Sequence, residues 1–121
     1  MDENGKAKFL YFNMKGMLSS LKEKKRYIVF EVLSEKKHSS ESIKKAVNQG
    51  LRSFLGDLGL AKAGLIWVDC GENKGILRTS VKESDNIKAG LTLVKDINNE
   101  KALIKTIGTS GILNKAKERW Y

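Results

Sequence analysis

Proline is absent from this chain, and cysteine and histidine occur once each, as Cys70 and His38. A lone cysteine excludes an internal disulfide and is typical of a reducing compartment, so we expect a cytoplasmic protein. One cysteine with one histidine also excludes a zinc finger, and we predict neither a metal ion nor a cofactor bound by the chain itself. Because proline is missing, glycines and clusters of asparagine or aspartate must mark the turns.

Long apolar runs are missing as well. No segment approaches the roughly 20 apolar residues that a membrane-spanning helix needs. The sequence also lacks the signal-peptide pattern of a basic start, an apolar run and a small-residue cleavage site. We therefore expect no membrane partner.

Positive charge is abundant. Lysine and arginine total 23 against 14 aspartate and glutamate, which gives a net charge of +9. An excess of this size draws a domain toward nucleic acid or an anionic surface. Since a membrane partner is disfavoured, the composition favours nucleic acid, and 121 residues suit one domain with one core.

Apolar periodicity predicts a β-α-β-β-α-β order followed by a short helix. The predicted strands are Arg26–Glu35, Leu65–Cys70, Gly75–Val81 and Ala102–Ile107, and the predicted main helices run from Ser39 or Ser40 to Leu58 and from Glu83 to Ile97. Two right-handed crossovers then give a four-stranded antiparallel sheet with both main helices on one face. We therefore predict an α+β, ferredoxin-like (RRM-like) sandwich with an additional C-terminal helix.

The predicted domain covers residues 17–121, and residues 1–16 look separate from it. We interpret residues 1–16 as a disordered extension or an expression remnant. An aromatic arm built on Phe9–Phe12, which would dock on RNA or a partner, is the functional alternative.

The first predicted strand is apolar on both faces, so the sheet face away from the main helices needs a cover. That face carries Tyr27, Val29 and Leu33. We interpret these residues as a partner interface, with a seat for the terminal helix as the alternative. Base stacking on this face is disfavoured because the third strand has no aromatic residue and Tyr27 lacks a stacking partner.

A Gly-Thr-Ser-Gly segment, Gly108–Gly111, follows the last predicted strand and is interpreted as a turn that opens the last helix. Glycines allow close approach of a ligand, and free N–H groups at a helix start attract anions. The simpler alternative is that Ser110 only caps the helix. Both interpretations stay open, because a cap can share its turn with a phosphate.

Basic clusters on a small fold supply the phosphate contacts that dominate RNA binding. The predicted RNA-binding residues are Lys22, Lys24, Lys25, Arg26, Lys44, Lys45, Arg78, Gly108, Ser110, Gly111, Lys115, Lys117 and Arg119. We predict no catalytic residue: Trp67 is assigned to the core, Trp120 to anchoring the last helix, and His38 to the surface. Recognition of the RNA backbone and its shape is favoured over base readout.

Four segments carry a family resemblance, in the same order and spacing: a basic run entering an Arg-Tyr-Ile strand, a Gly-Ile-x-Arg strand, a helical segment and the glycine segment. They are Lys24–Val32, Lys74–Arg78, Ala89–Asn98 and Thr106–Ile112. Together they resemble the archaeal ribonuclease P protein component two family over roughly residues 17–120. The chain departs from the family's Pro-Pro-Thr-Leu-Arg type segment, where it has Leu18–Lys22.

The resemblance implies a non-catalytic protein subunit of ribonuclease P, an RNA-based endonuclease that removes 5′ leaders from precursor tRNA. In that family the RNA carries the catalytic centre and uses Mg²⁺, and the protein supports this catalytic RNA and meets precursor tRNA indirectly. The resemblance further implies pairing with the barrel-shaped ribonuclease P protein component three and self-association within a heterotetramer.

Three alternatives remain. One is an RNA-binding subunit of another ribonucleoprotein particle, of ribosomal or splicing type. Another is a module that binds only protein. The third is a small phosphate-hydrolysing enzyme with Gly108–Gly111 as its anion loop and Arg78 as its cation, which is disfavoured because no water-activating group accompanies them.

Overall fold

The computed structural model describes residues 24–121, so the predictions for residues 1–16 and for Lys22 lie outside the described part. The strands are β1 (Lys25–Leu33), β2 (Ile66–Gly71), β3 (Lys74–Ser80), β4 (Asp96–Ile97), β5 (Glu100–Lys101) and β6 (Leu103–Ser110), and the helices are α1 (Ser40–Ala63), α2 (Ser84–Thr92) and α3 (Leu113–Trp120). A 3-10 turn, Val81–Glu83, leads from β3 into α2.

The main sheet has four antiparallel strands in the order β2-β3-β1-β6. The first and third strands of the predicted order are therefore central, and the second and last lie at the edges. This is the strand order that two right-handed crossovers produce, and the ferredoxin-like prediction is confirmed. The short strands β4 and β5 form a separate hairpin.

The main core lies between the sheet and α1 and α2. Ile28, Phe30 and Val32 alternate along β1 and point into it, since successive side chains of a strand point to opposite faces. Phe30 is fully buried and meets Trp67 edge to face, with ring centroids 5.8 Å apart. Trp67 therefore packs against the core as predicted, while its Nε1–H donates to Asn48 Oδ1 at 3.1 Å.

Helix α1 begins as the sequence predicts and ends later. Ser39 is its N-cap, and the Ser39 Oγ accepts a hydrogen bond from the Ser42 N–H. The helix continues past Leu58 to Ala63, across a kink at Gly56, where a φ of 73° interrupts the helical backbone. Gly64 closes the helix in the left-handed conformation that favours glycine.

Helix α2 is shorter than predicted. It ends at Thr92, and the segment that the sequence assigns to its last turn turns back into the β4–β5 hairpin. Asn98 and Asn99 both have positive φ, which asparagine tolerates in tight hairpin turns. Val94 and Ile97 are still buried, so the pattern identifies core residues correctly but assigns them the wrong backbone.

His38 is not a surface residue: its exposed fraction is 6%. Its Nε2 lies 3.1 Å from Ser34 Oγ, and its backbone N–H donates to Asn73 Oδ1 at 2.9 Å. These hydrogen bonds tie the β1–α1 connection to the β2–β3 turn. The surface assignment is therefore wrong, because a long-range contact with Asn73 covers the loop.

Within residues 24–121, none of the helices combines the length and the apolarity needed to cross a membrane.

Candidate nucleic-acid interface

Helix α3 covers much of the sheet face opposite α1 and α2. Val29, Ile76 and Ala116 form a second buried cluster there, and Trp120 packs against it. Val29 has no exposed surface, so its assignment to a partner interface is wrong, and the alternative of a seat for the terminal helix is confirmed. Tyr27 is half-buried beside this cluster.

The glycine segment is not the turn that the sequence predicts. Gly108 and Ser110 lie inside β6, where they pair with Val29 and Tyr27 of β1. A Cβ at Gly108 would clash with the ring of Trp120. Gly108 is therefore a close-packing position under α3 and not a phosphate-binding loop, and Trp120 anchors the helix as predicted.

Ser110 also differs from its predicted role as the helix cap. The N-cap of α3 is Ile112, which makes no side-chain capping bond. The Ser110 Oγ instead accepts from the Ile112 N–H at 3.1 Å, which stabilises the turn before the helix. Only Gly111 remains in an exposed turn, close to Arg26: a Cβ at Gly111 would lie 3.0 Å from Arg26 Nη1.

Four cations gather at the end of the sheet where β1 starts, and we call Lys24, Lys25, Arg26 and Arg78 the basic end. Arg78 of β3 pairs with Tyr27, one step along β1 from Arg26. The Val81 N–H donates to the Lys24 carbonyl at 3.1 Å and holds the 3-10 turn beside it. That contact also brings the exposed Lys82 to the basic end. Lys82 is not among the RNA-binding residues predicted from the sequence. Its position directly after the predicted third strand could have identified it, because that end of the strand lies beside the start of β1.

The cations of α3 point to solvent. Lys115, Lys117 and Arg119 are exposed, while Ala116 and Trp120 face the sheet. Since α3 starts beside Arg26 and Gly111, its first turn adjoins the basic end. The structure thus brings two predicted clusters to neighbouring surfaces.

Between residues 24 and 121 these cations form no ion pairs. In the part of the chain that the structure describes, the ion pairs involve Lys36, Lys37, Arg52 and Lys88, with N···O distances of 2.9–3.9 Å. No predicted RNA-binding cation of residues 24–121 belongs to that set. Cations without carboxylate partners are available to phosphate, and their contacts release counterions.

Lys44 and Lys45 are not brought to this surface. Both lie on α1, which packs on the other face of the sheet. The Lys44 Nζ lies 6.0 Å from the centre of the Trp67 ring. These two residues therefore form a separate patch, and a single RNA contact that includes them would have to wrap around the β2 edge.

The chemistry beside these cations is not that of an activated nucleophile. Burial raises the pKa of the Cys70 thiol; Lys44 acts in the opposite direction and Asp69 adds to the increase. Reactive cysteines have a lowered pKa instead. No cluster of three or more His, Cys, Asp or Glu side chains that would hold a metal ion occurs between Lys24 and Tyr121.

We expect Cys70 to react with an aromatic disulfide reagent at pH 8 several-fold more slowly than a free thiol, because less of it is thiolate. Asp69→Asn should speed the reaction and Lys44→Ala should slow it, since Asp69 raises the pKa of Cys70 and Lys44 lowers it. Absorbance of the released thiolate measures the rates. Equal rates for both variants would show that burial alone controls the thiol.

Comparison with known proteins places the chain in a family. The model of the Rpp14/Pop5 family matches residues 26–121. The chain is 40% identical over 103 residues to ribonuclease P protein component 2 of Pyrococcus furiosus, which covers 84% of this chain and 86% of that protein. It is 33% identical over 107 residues to the Methanosarcina mazei protein of the same name, covering 88% of this chain and 92% of that one.

A solved structure shares the fold at low sequence identity. A chain in the cryo-EM structure of yeast ribonuclease MRP superposes with a TM-score of 0.62 at 9% identity, over 74% of this chain and 75% of that chain. With the matched family model and the archaeal relatives, the resemblance noted in the sequence is confirmed. The chain belongs to the Rpp14/Pop5 family.

Proposed function

We propose that this chain is a non-catalytic protein subunit of the ribonuclease P ribonucleoprotein, and that it supports the catalytic RNA in removing 5′ leaders from precursor tRNA. The relatives named ribonuclease P protein component 2 support the assignment of the chain to the ribonuclease P particle. The observation that carries the role of an RNA-binding subunit is that the cations of the basic end and of α3 form no ion pair with any of residues 24–121, while Gly111 places the start of α3 beside Arg26.

The geometry favours contacts to the RNA backbone. Exposed lysines on a rigid helix and directly before a strand position a protein on phosphates without reading bases. Because α3 is fixed to the sheet by Trp120 and Ala116, its three cations keep a constant spacing. In this proposal the Mg²⁺ belongs to the RNA, and precursor tRNA is met indirectly.

Protein partners belong to the proposal as well. Among the residues first assigned to a partner interface, Leu33 is 46% exposed. Together with the exposed Leu103 and with Thr92 it lines a groove of about 920 Å³ at the end of the sheet opposite the basic end. We propose this groove as a contact for another protein subunit, with the barrel-shaped component three and a second copy of the chain as the candidates.

Reconstitution tests the proposed function. We expect the purified chain alone to leave precursor tRNA intact, and its addition to the catalytic RNA with the remaining protein subunits to increase 5′-leader cleavage. The matched control omits only this chain. Metal-dependent cleavage by the chain without RNA, or an unchanged rate on its addition, would contradict the proposal.

A further inference from the structure

One row of side chains crosses the sheet next to the row that α3 covers. Strand pairing places Ile66 opposite Arg78, Arg78 opposite Tyr27, and Tyr27 opposite Ser110. Directly paired residues of antiparallel strands point to the same face, with Cβ atoms about 5 Å apart. We call Ile66, Arg78, Tyr27 and Ser110 the open row.

The open row lies on the α3 side of the sheet. Trp67 packs in the core on the other side, so the adjacent Ile66 points to the α3 side, as Val68 does. The next row, with Ile76, Val29 and Gly108, is covered by α3. The open row is less covered: Ile66 is 46% exposed, and Tyr27, Arg78 and Ser110 are half-buried.

Arg78 is the chemically unusual member of the row. Its Nε is buried and has no hydrogen-bond partner among residues 24–121. No ion pair between residues 24 and 121 includes Arg78, and its neighbours across the strands are the ring of Tyr27 and the aliphatic Ile66. A guanidinium is planar and remains charged, so it suits both a base face and a phosphate.

Charge decides between RNA and protein as the occupant. The open row contains no carboxylate, and Lys25 lies two residues before Tyr27 on the same face of β1. The guanidinium of Arg26 lies beside Gly111, next to Ser110 at the β6 end of the row, although alternation along β1 directs the Arg26 side chain to the α1 side of the sheet. The open row thus combines apolar and aromatic side chains with positive charge and contains no carboxylate. These features match a nucleotide, which joins a flat base to a negatively charged phosphate.

We propose that the open row binds one unpaired nucleotide of an RNA strand. The base lies against the ring of Tyr27 and the guanidinium plane of Arg78, with Ile66 at its side, and the phosphate is held by Lys25. The sequence disfavours base stacking because the third strand lacks an aromatic residue; in the structure the guanidinium of Arg78 takes that place, since bases stack on arginine planes as well as on rings. This inference rests on the proposed function in one respect, namely that the ligand is RNA.

Two oligomers of equal phosphate number test the open row: single-stranded oligouridine and an abasic ribose-phosphate strand. With the full chain we expect oligouridine to bind about 5- to 150-fold more tightly, the effect of stacking one base. Tyr27→Leu should abolish this preference and leave the affinity for the abasic strand unchanged. Tyr27→Phe, which keeps the ring, should retain the preference.

Tyr121→Leu is the matched control, because Tyr121 is also a half-buried tyrosine beside a lysine on the α3 side but lies outside the open row. It should leave the preference intact. Equal binding of both oligomers by the unmodified chain, or a preference that survives Tyr27→Leu, would overturn the proposed nucleotide site on the open row. Neither result would contradict the proposed function. A Tyr27→Leu variant that weakens only association with protein subunits would identify a protein contact and overturn the nucleotide site too. Failure of the proposed function is seen separately, as a reconstituted particle that does not respond to the chain.

Discussion

Gly108→Val is expected to lower the free energy of unfolding by about 3 kcal/mol and to release α3 from the sheet. Valine itself favours strands, so the backbone of β6 is not the source of the loss. The loss arises because a Cβ at this position meets the ring of Trp120, which is broad and rigid and is held by the rest of α3. Denaturant unfolding followed by tryptophan fluorescence measures both effects, since Trp120 becomes exposed while Trp67 stays in the core.

Gly111→Ala is the matched control for Gly108→Val. Gly111 is exposed, and its added Cβ would meet chiefly the flexible end of Arg26, so we expect stability to change by less than about 0.5 kcal/mol. In addition, Gly108→Val combined with Trp120→Ala should cost less than the sum of the two changes, because the valine methyls occupy space that the ring vacates. Strict additivity would mean that Gly108 and Trp120 are not in contact.

The same two glycines show where sequence reasoning stops. A glycine after an apolar strand is ordinarily a turn signal, and Gly111 does lie in the turn. Gly108 is a glycine for another reason, which depends on a tryptophan 12 residues later folding back over it. No local pattern encodes that contact, so the sequence predicts the end of β6 three residues too early and places the phosphate loop inside a strand.

The predictable part of the fold depends on periodicity. Alternation along β1 identifies Ile28, Phe30 and Val32 as core residues, and the order of elements then leaves few topologies to choose from. The predicted end of α2 is wrong because Val94 and Ile97 fit a helical stripe, whereas the positive φ of Asn98 and Asn99 makes a hairpin of the segment.

The candidate site divides in the same way. The sequence identifies the cationic residues, and it also shows that the segment Lys74–Arg78 resembles the family. Which cations share a surface depends on pairing register: Arg78 reaches the basic end only because it lies opposite Tyr27. Lys44 and Lys45 belong to the other layer for an equally non-local reason, since α1 packs on the face that α3 does not cover.

Replacing the three cations of α3 in one variant, Lys115→Ala, Lys117→Ala and Arg119→Ala, is expected to weaken binding to the catalytic RNA and to flatten its dependence on salt. Each phosphate contact contributes roughly 0.7–0.9 to the slope of log affinity against log salt concentration, so three contacts remove about 2.1–2.7. The loss of affinity between 50 and 200 mM salt should then be smaller by about 20- to 40-fold than for the unmodified chain. Alanine is the best helix former, so α3 should persist.

The control for this variant is a second triple change, Lys36→Ala, Lys37→Ala and Arg52→Ala, which removes the same net charge from residues that already have carboxylate partners. If charge acts only at long range, the two variants will bind RNA alike. If α3 contacts phosphates, only its own variant will lose the slope, because counterions are released where cations replace them on the RNA. An unchanged slope for the α3 variant would remove the helix from the RNA interface and leave the basic end to account for binding. Titrations at four or more salt concentrations distinguish these outcomes, and they do so independently of catalytic activity.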